Sequence, residues 1–123
     1  MNRYYVYSYY DINGRPIYVG KTQDVFSRHK SHRKDAWMKY AKTIGVRTYP
    51  SKRDMNVAEM YYISERRPTY NDVFKAKDLF TGTEYKVLIE DTSDEIIYTL
   101  REFVKAYDPK TSAYRKRLRR ENT

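Results

Sequence analysis

The chain opens on an almost unbroken aromatic and β-branched run from Arg3 to Tyr10, which meets Asp11-Ile12-Asn13-Gly14 and then a second β-like run, Arg15 to Gly20. Such side chains suit a pleated surface, and Asn13-Gly14 supplies the positive φ angles of a tight turn, so the two runs predict a hairpin. After Lys21-Thr22 the period changes: Val25, His29, Ala36, Trp37 and Tyr40 recur at helical spacing with basic residues opposite, predicting a helix over 24–40. Ile44, Val46 and Thr48 alternate within 43–49 and stop at Pro50-Ser51, which reads as a third strand. From Asp54 to Arg66 the pattern is helical again, and its middle, Val57 to Ile63, is apolar almost all round, as in a helix buried within a domain. Pro68 closes that helix, and Tyr70-Asn71-Asp72 forms its exit.

Beyond residue 72 the pattern predicts a second hairpin, Phe74 to Phe80 and Glu84 to Ile89 around Thr81-Gly82. A helix over 93–107 follows, with Thr92 and Glu95 at capping-box spacing and a stripe of Ile96, Ile97, Leu100, Phe103, Val104 and Tyr107. Asp108-Pro109 breaks it, and the basic segment from Lys110 to Asn122 predicts a second helix. The expected fold is therefore α+β. A core over 1–72 has a small three-stranded antiparallel sheet flanked by helices, and 73–123 forms a C-terminal extension.

Charge narrows the partners. Lys and Arg number 25 against 16 Asp and Glu, giving +9 and a pI near 9.6, the profile of a polyanion binder with nucleic acid as its leading partner; a merely well-solvated basic surface is the alternative. Cysteine is absent, which excludes a disulfide framework, a thiolate zinc site and a thiol nucleophile and fits a reducing compartment. No apolar run approaches the roughly 20 residues that span a bilayer, and the first ten residues lack a signal-peptide layout, so a soluble, cytoplasmic protein with no membrane partner is expected. The fifteen tyrosines can fill a core while keeping a hydroxyl for a partner.

Glu59 stands out on physical grounds, because a carboxylate within an apolar run is costly to bury unless paired, hydrogen-bonded or metal-bound. A salt bridge to a neighbouring cation and a functional ligand are both open readings. Arg28 and His32, four apart on the predicted first helix, rise from one face and can reach one site together.

Tyr5-Val6-Tyr7, then Tyr18-Val19-Gly20, then Arg28 on the following helix, Glu59 on a later one and Asn71 just past its end together resemble the GIY-YIG nuclease family over residues 3–72. The resemblance implies a DNA endonuclease that hydrolyses phosphodiester bonds with one Mg²⁺ or Mn²⁺ held by Glu59. It implies that Tyr7 and Tyr18 face the reacting phosphate, with Tyr7 as general base. Arg28 would stabilise transition-state charge, and Lys21 would lower the pKa of the basic phenol. Asn71 would orient the phosphate or shape the metal site, and His32 would assist. The sequence departs from the family pattern at Tyr5, where the first triplet has a glycine. His29 matches no family role and is expected to be a packing or surface residue.

By the same resemblance, targeting is sought in the extension. The helix over 93–107, its break and a basic helix look somewhat like a helix-turn-helix. Arg33, Lys34, Arg115, Lys116, Arg117, Arg119 and Arg120 are the candidate contacts to double-stranded DNA. Alternatively, the stripe caps the core or forms a homodimer face. A catalytically inactive DNA-binding or regulatory protein of the same fold is the competing function, and an RNA-binding protein rests on charge and aromatics alone. Small size suits a phage, mobile-element or restriction protein.

Overall fold

The computed structural model describes residues 3–71 and 93–121; the predicted hairpin over 74–89 and Thr92 lie outside them. Strands β1 (Tyr4–Tyr10), β2 (Pro16–Thr22), β3 (Thr43–Tyr49) and β4 (Ile96–Thr99) form an antiparallel sheet in the order β2-β1-β3-β4. The predicted α+β class and its three strands are present, and the extension adds a fourth. Among the described residues four α-helices accompany the sheet: α1 (Val25–His32), α2 (Lys52–Arg66), α3 (Leu100–Tyr107) and α4 (Ser112–Glu121).

Strand β1 lies in the interior of the sheet, which explains its composition. Tyr5, Tyr7 and Tyr9 point to one face with Val25, Phe103 and Tyr107, while Val6 points to the other with Met55, Ala58, Tyr62 and Ile63 of α2. A strand covered on both faces reads as a continuous apolar run rather than an alternation. In the β1–β2 turn only Gly14 takes a positive φ, 78°. Asn13 does not, because the Asp11 carboxylate organises the turn instead, accepting from the backbone N–H of Asn13 and Arg15 at 2.8 and 2.9 Å.

Helix α1 starts where Asp24 accepts from the Ser27 N–H and stops at His32, so the predicted helix over 24–40 is two elements. A position five residues beyond His32 would lie roughly 140° round an α-helix from it. The chain instead turns at Asp35 into a 3-10 segment, Ala36–Tyr40, which brings the Trp37 ring to 5.1 Å from His32 and stacks it on Tyr18 at 4.8 Å. Helix α2 covers one face of the sheet but is not buried all round: Met60 is exposed, and Val57 and Tyr61 are half-buried.

The predicted helix over 93–107 also divides. Ile96 to Thr99 are all β-formers and pair with β3, leaving Ile96 and Ile97 exposed. The Thr-x-x-Glu spacing occurs twice, and the capping box forms at the second, Thr99 with Glu102. Glu95 is spent elsewhere: its Oε2 accepts from Tyr10 at 2.6 Å and faces Arg66 at 3.6 Å, stapling the extension to β1 and α2. Helix α3 then buries Phe103 and Tyr107 in the core.

Phe103 is fully buried, stacked on Tyr107 at 4.7 Å and edge-on to His29 at 5.1 Å. Phe103→Ala is expected to cost about 3–5 kcal/mol in urea unfolding. A loss under about 1 kcal/mol would mean that the extension does not pack into the core.

Candidate active site

The candidate residues gather where β1, β2 and α1 meet, with α2 beside them. Tyr7 and Gly20 are register partners across the hairpin, and the Tyr7 and Tyr18 rings stack with centroids 6.2 Å apart. Tyr7 is buried, Tyr18 half-buried, and the flat stack of Trp37 on Tyr18 fixes the second ring. On α1, His32 is buried with its Nε2 2.8 Å from the Tyr7 hydroxyl, and its Nδ1 lies 2.7 Å from Asp35 Oδ2. Arg28 stands one turn back on α1 with its side chain in solvent.

Electrostatics binds these groups more closely than sequence distance suggests. Burial pushes the Tyr7 phenol well above its ordinary pKa; neighbouring Tyr18 and Tyr9 add to the rise, Arg28 opposes it and Glu59 adds to it. Tyr18 is raised by burial and then by Glu59, with Arg28 again opposing. Both phenols therefore lie in the fields of Arg28 and Glu59, and Tyr18 in that of Asp35 as well. The cation opposing their rise is Arg28 rather than Lys21. The Lys21 ammonium turns to α2 instead, donating to Asn56 Oδ1 at 2.8 Å and facing Glu59 Oε1 at 3.8 Å.

Glu59 thus takes part of the salt-bridge reading, but its partner is long and half in water. Burial raises its pKa, and Lys21 opposes that rise. Among the described residues no three His, Cys, Asp or Glu side chains gather into a metal cage. A single half-buried carboxylate suits a hard cation that keeps most of its waters and takes further oxygens from a phosphate, which is how Mg²⁺ is commonly bound.

Asn71 is fully occupied. Its Oδ1 accepts from Val19 N–H at 2.7 Å and its Nδ2 donates to Val19 C=O at 2.8 Å, imitating a neighbouring strand beside β2, an edge of the sheet among the described residues. The amide thus braces Val19, between Tyr18 and Gly20, from the side.

The structure also explains the Tyr5 departure. The ring points into the core edge-on to Tyr107 of α3 at 6.3 Å, filling space where the extension packs on β1. His29 is a packed residue, as expected, with Nδ1 2.7 Å from the Tyr9 hydroxyl. Burial first, then Arg33 and His32, lower its pKa to about 4. Because the unfolded imidazole titrates near 6.5, the unfolded chain takes up the proton first as pH falls. Stability should drop between about pH 6.5 and 4 by at most about 3 kcal/mol and level off below. Urea midpoints against pH check this: His29→Gln should flatten that part of the curve, and an unchanged slope would remove His29 as its source.

The candidate DNA contacts separate. Arg33 and Lys34 are exposed beside the site, and Arg115, Lys116, Arg119 and Arg120 are exposed on α4. Arg117 is not among them. Its guanidinium is buried 3.8 Å over the Tyr107 ring, its Nε donates to Ala106 C=O at 2.8 Å, and it pairs with Glu121 at 2.7 Å, locking α4 onto α3. A cleft of about 930 Å³ between α1 and the α3–α4 pair is lined in part by Lys30, Arg33 and Lys110 but by none of the candidate catalytic groups.

Residues 3–71 match the family model for the GIY-YIG catalytic domain. The match covers more than half of the chain, and the protein belongs to the GIY-YIG nuclease family. Searches of curated proteins and of solved structures each returned no match. Among the described residues no helix is long and apolar enough to cross a membrane.

Asp35 escaped the sequence reading, and Trp37 entered it only as a member of a helical stripe. Asp35 follows His32 by three, a spacing that places both on one side of a helix, and that was the available signal.

Proposed function

We propose that this protein is a divalent-metal-dependent endonuclease that hydrolyses phosphodiester bonds of double-stranded DNA. The observation that carries the reading is that the Tyr7 and Tyr18 rings stack across the hairpin with centroids 6.2 Å apart and the Tyr7 hydroxyl 2.8 Å from His32 Nε2, while Arg28 and Glu59, from different helices, both act on the two phenols.

The phenol buried deeper, Tyr7, is the general base. Its raised pKa means that little phenolate stands ready at neutral pH, so it must lose its own proton as it accepts one. His32 Nε2, at 2.8 Å, is the acceptor. Water gives a proton to the Tyr7 oxygen while the phenolic proton passes to His32. The water oxygen forms the new bond to phosphorus, and the bond to the deoxyribose oxygen breaks, that oxygen leaving as an alkoxide that takes a proton from solvent. Arg28 faces the charge that grows on the non-bridging oxygens, a task suited to a permanently charged guanidinium. Tyr18 positions the water beside Tyr7. Glu59 would hold one Mg²⁺ or Mn²⁺, supplying Lewis-acid neutralisation of the phosphate and leaving oxygen. Exposed Arg33, Lys34, Arg115, Lys116, Arg119 and Arg120 would hold the DNA backbone, with an attraction that weakens as salt rises.

The test is nicking and linearisation of plasmid with Mg²⁺ by wild type, Glu59→Ala and Arg28→Ala. Both variants are expected to lose at least about 100-fold in rate. If both cut as fast as wild type, the site assignment is wrong. If wild type binds the plasmid and never cuts it, the protein is a binder of nuclease fold.

A further inference from the structure

We infer that Asp35 is a positioning residue of the reaction, holding His32 in the one tautomer that can take the proton of Tyr7. The inference rests on the nuclease reading above and assigns a third member to its proton path.

The geometry leaves little freedom. An ionised carboxylate only accepts hydrogen bonds, so at 2.7 Å from Asp35 Oδ2 the His32 Nδ1 must carry hydrogen. In a neutral ring Nε2 is then the bare nitrogen, and it stands 2.8 Å from the Tyr7 hydroxyl. The phenol therefore donates, and the chain runs Tyr7 O–H to His32 Nε2, then His32 Nδ1–H to Asp35. When the phenolic proton crosses to Nε2, an imidazolium forms against the Asp35 carboxylate, which balances its charge. No proton needs to reach Asp35.

Local structure makes the arrangement specific. Asp35 occupies the N-cap position of the 3-10 segment, where an aspartate ordinarily accepts from the backbone of the following turn, yet it makes no such bond. Its side chain is partly solvated, and it turns to His32 Nδ1 instead of the backbone of the segment it precedes. The rings packed around the imidazole among the described residues, Tyr7, Tyr9, Tyr18 and Trp37, offer no competing anion.

The test compares Asp35→Ala and Asp35→Glu with wild type and Tyr7→Phe, by single-turnover cleavage of a long duplex and by long-range ¹H–¹⁵N NMR of His32. Asp35→Ala should lower the cleavage rate about 10–100-fold with KM within about twofold of wild type. Asp35→Glu should recover part of the rate, and the His32 spectrum should move from Nδ1–H alone toward a mixture with Nε2–H in Asp35→Ala. If Asp35→Ala cuts like wild type while Tyr7→Phe does not, the inference fails and the nuclease reading stands. A His32 spectrum unchanged in Asp35→Ala would also overturn it. If Tyr7→Phe itself cuts like wild type, the proposed proton path is wrong and the role of Asp35 falls with it.

Discussion

Replacing Gly20 with alanine is expected to abolish most of the cleavage activity, although glycine contributes no reacting group. The residue sits opposite Tyr7 in the β1–β2 ladder, and a Cβ added there would overlap the Tyr7 hydroxyl and the ring carbon that bears it. The demand is for space: Gly20 has no positive φ, unlike Gly14, whose φ is 78° with open surroundings. The Tyr7 ring cannot retreat freely, since Tyr9 stands edge-on at 5.8 Å, Tyr18 at 6.2 Å and His32 at 5.6 Å. Relief requires moving the hydroxyl by about an ångström, and a displacement of that size costs about 100-fold in rate. Overpacking should also lower stability by about 1–3 kcal/mol. Gly14→Ala is the control, because backbone strain at the turn should reduce the urea midpoint and leave the cleavage rate near wild type. Cleavage by Gly20→Ala at the wild-type rate would show that the Tyr7 hydroxyl need not stand where the structure puts it.

The sequence disclosed elements whose pattern was local. The β1–β2 hairpin, β3 and α2 follow from β-branched and aromatic runs, from Gly14 and from Pro68, and each is determined within a few residues. Tyr7, Tyr18, Arg28, His32 and Glu59 were legible because their order and spacing resemble a known family, and Glu59 also because an acid in an apolar run needs a reason. What stayed hidden depends on distant partners. Ile96 and Ile97 fit a helical stripe as well as a strand, and the open edge of β3 decides for the strand. Arg117 looks like any arginine of a basic tail until Tyr107 and Ala106, which lie across a turn, take its guanidinium. Asn71 reads as a ligand by type, whereas its place beside β2 occupies both ends of its amide with Val19. Lys21 follows the same rule, since Asn56 and Glu59 on α2 claim its ammonium before either phenol can.

Tyr7→Phe should produce the largest loss of all, about 100- to 10,000-fold in cleavage rate, with DNA affinity kept. The phenyl ring preserves the packing against Tyr9 and Tyr18, so the change removes one oxygen and strands His32 Nε2 without its partner. That buried nitrogen accounts for a stability loss of about 1–3 kcal/mol, which could itself be blamed for lost activity. The fold supplies the control that separates the two effects. Two residues along β1, Tyr9 makes the same kind of bond to His29, 2.7 Å long and equally buried, on the same face of the sheet. Tyr9→Phe should therefore lose a similar amount of stability, yet its hydroxyl lies outside the proposed proton path and its cleavage rate should stay within about tenfold of wild type. Urea midpoints and single-turnover rates for the two variants, measured side by side, decide the matter. If both lose activity in proportion to stability, Tyr7 is a packing residue like Tyr9. If Tyr18→Phe falls further than Tyr7→Phe, the base is the half-buried phenol on β2. Only a fall confined to Tyr7→Phe at matched stability makes its hydroxyl the group that takes the proton from water.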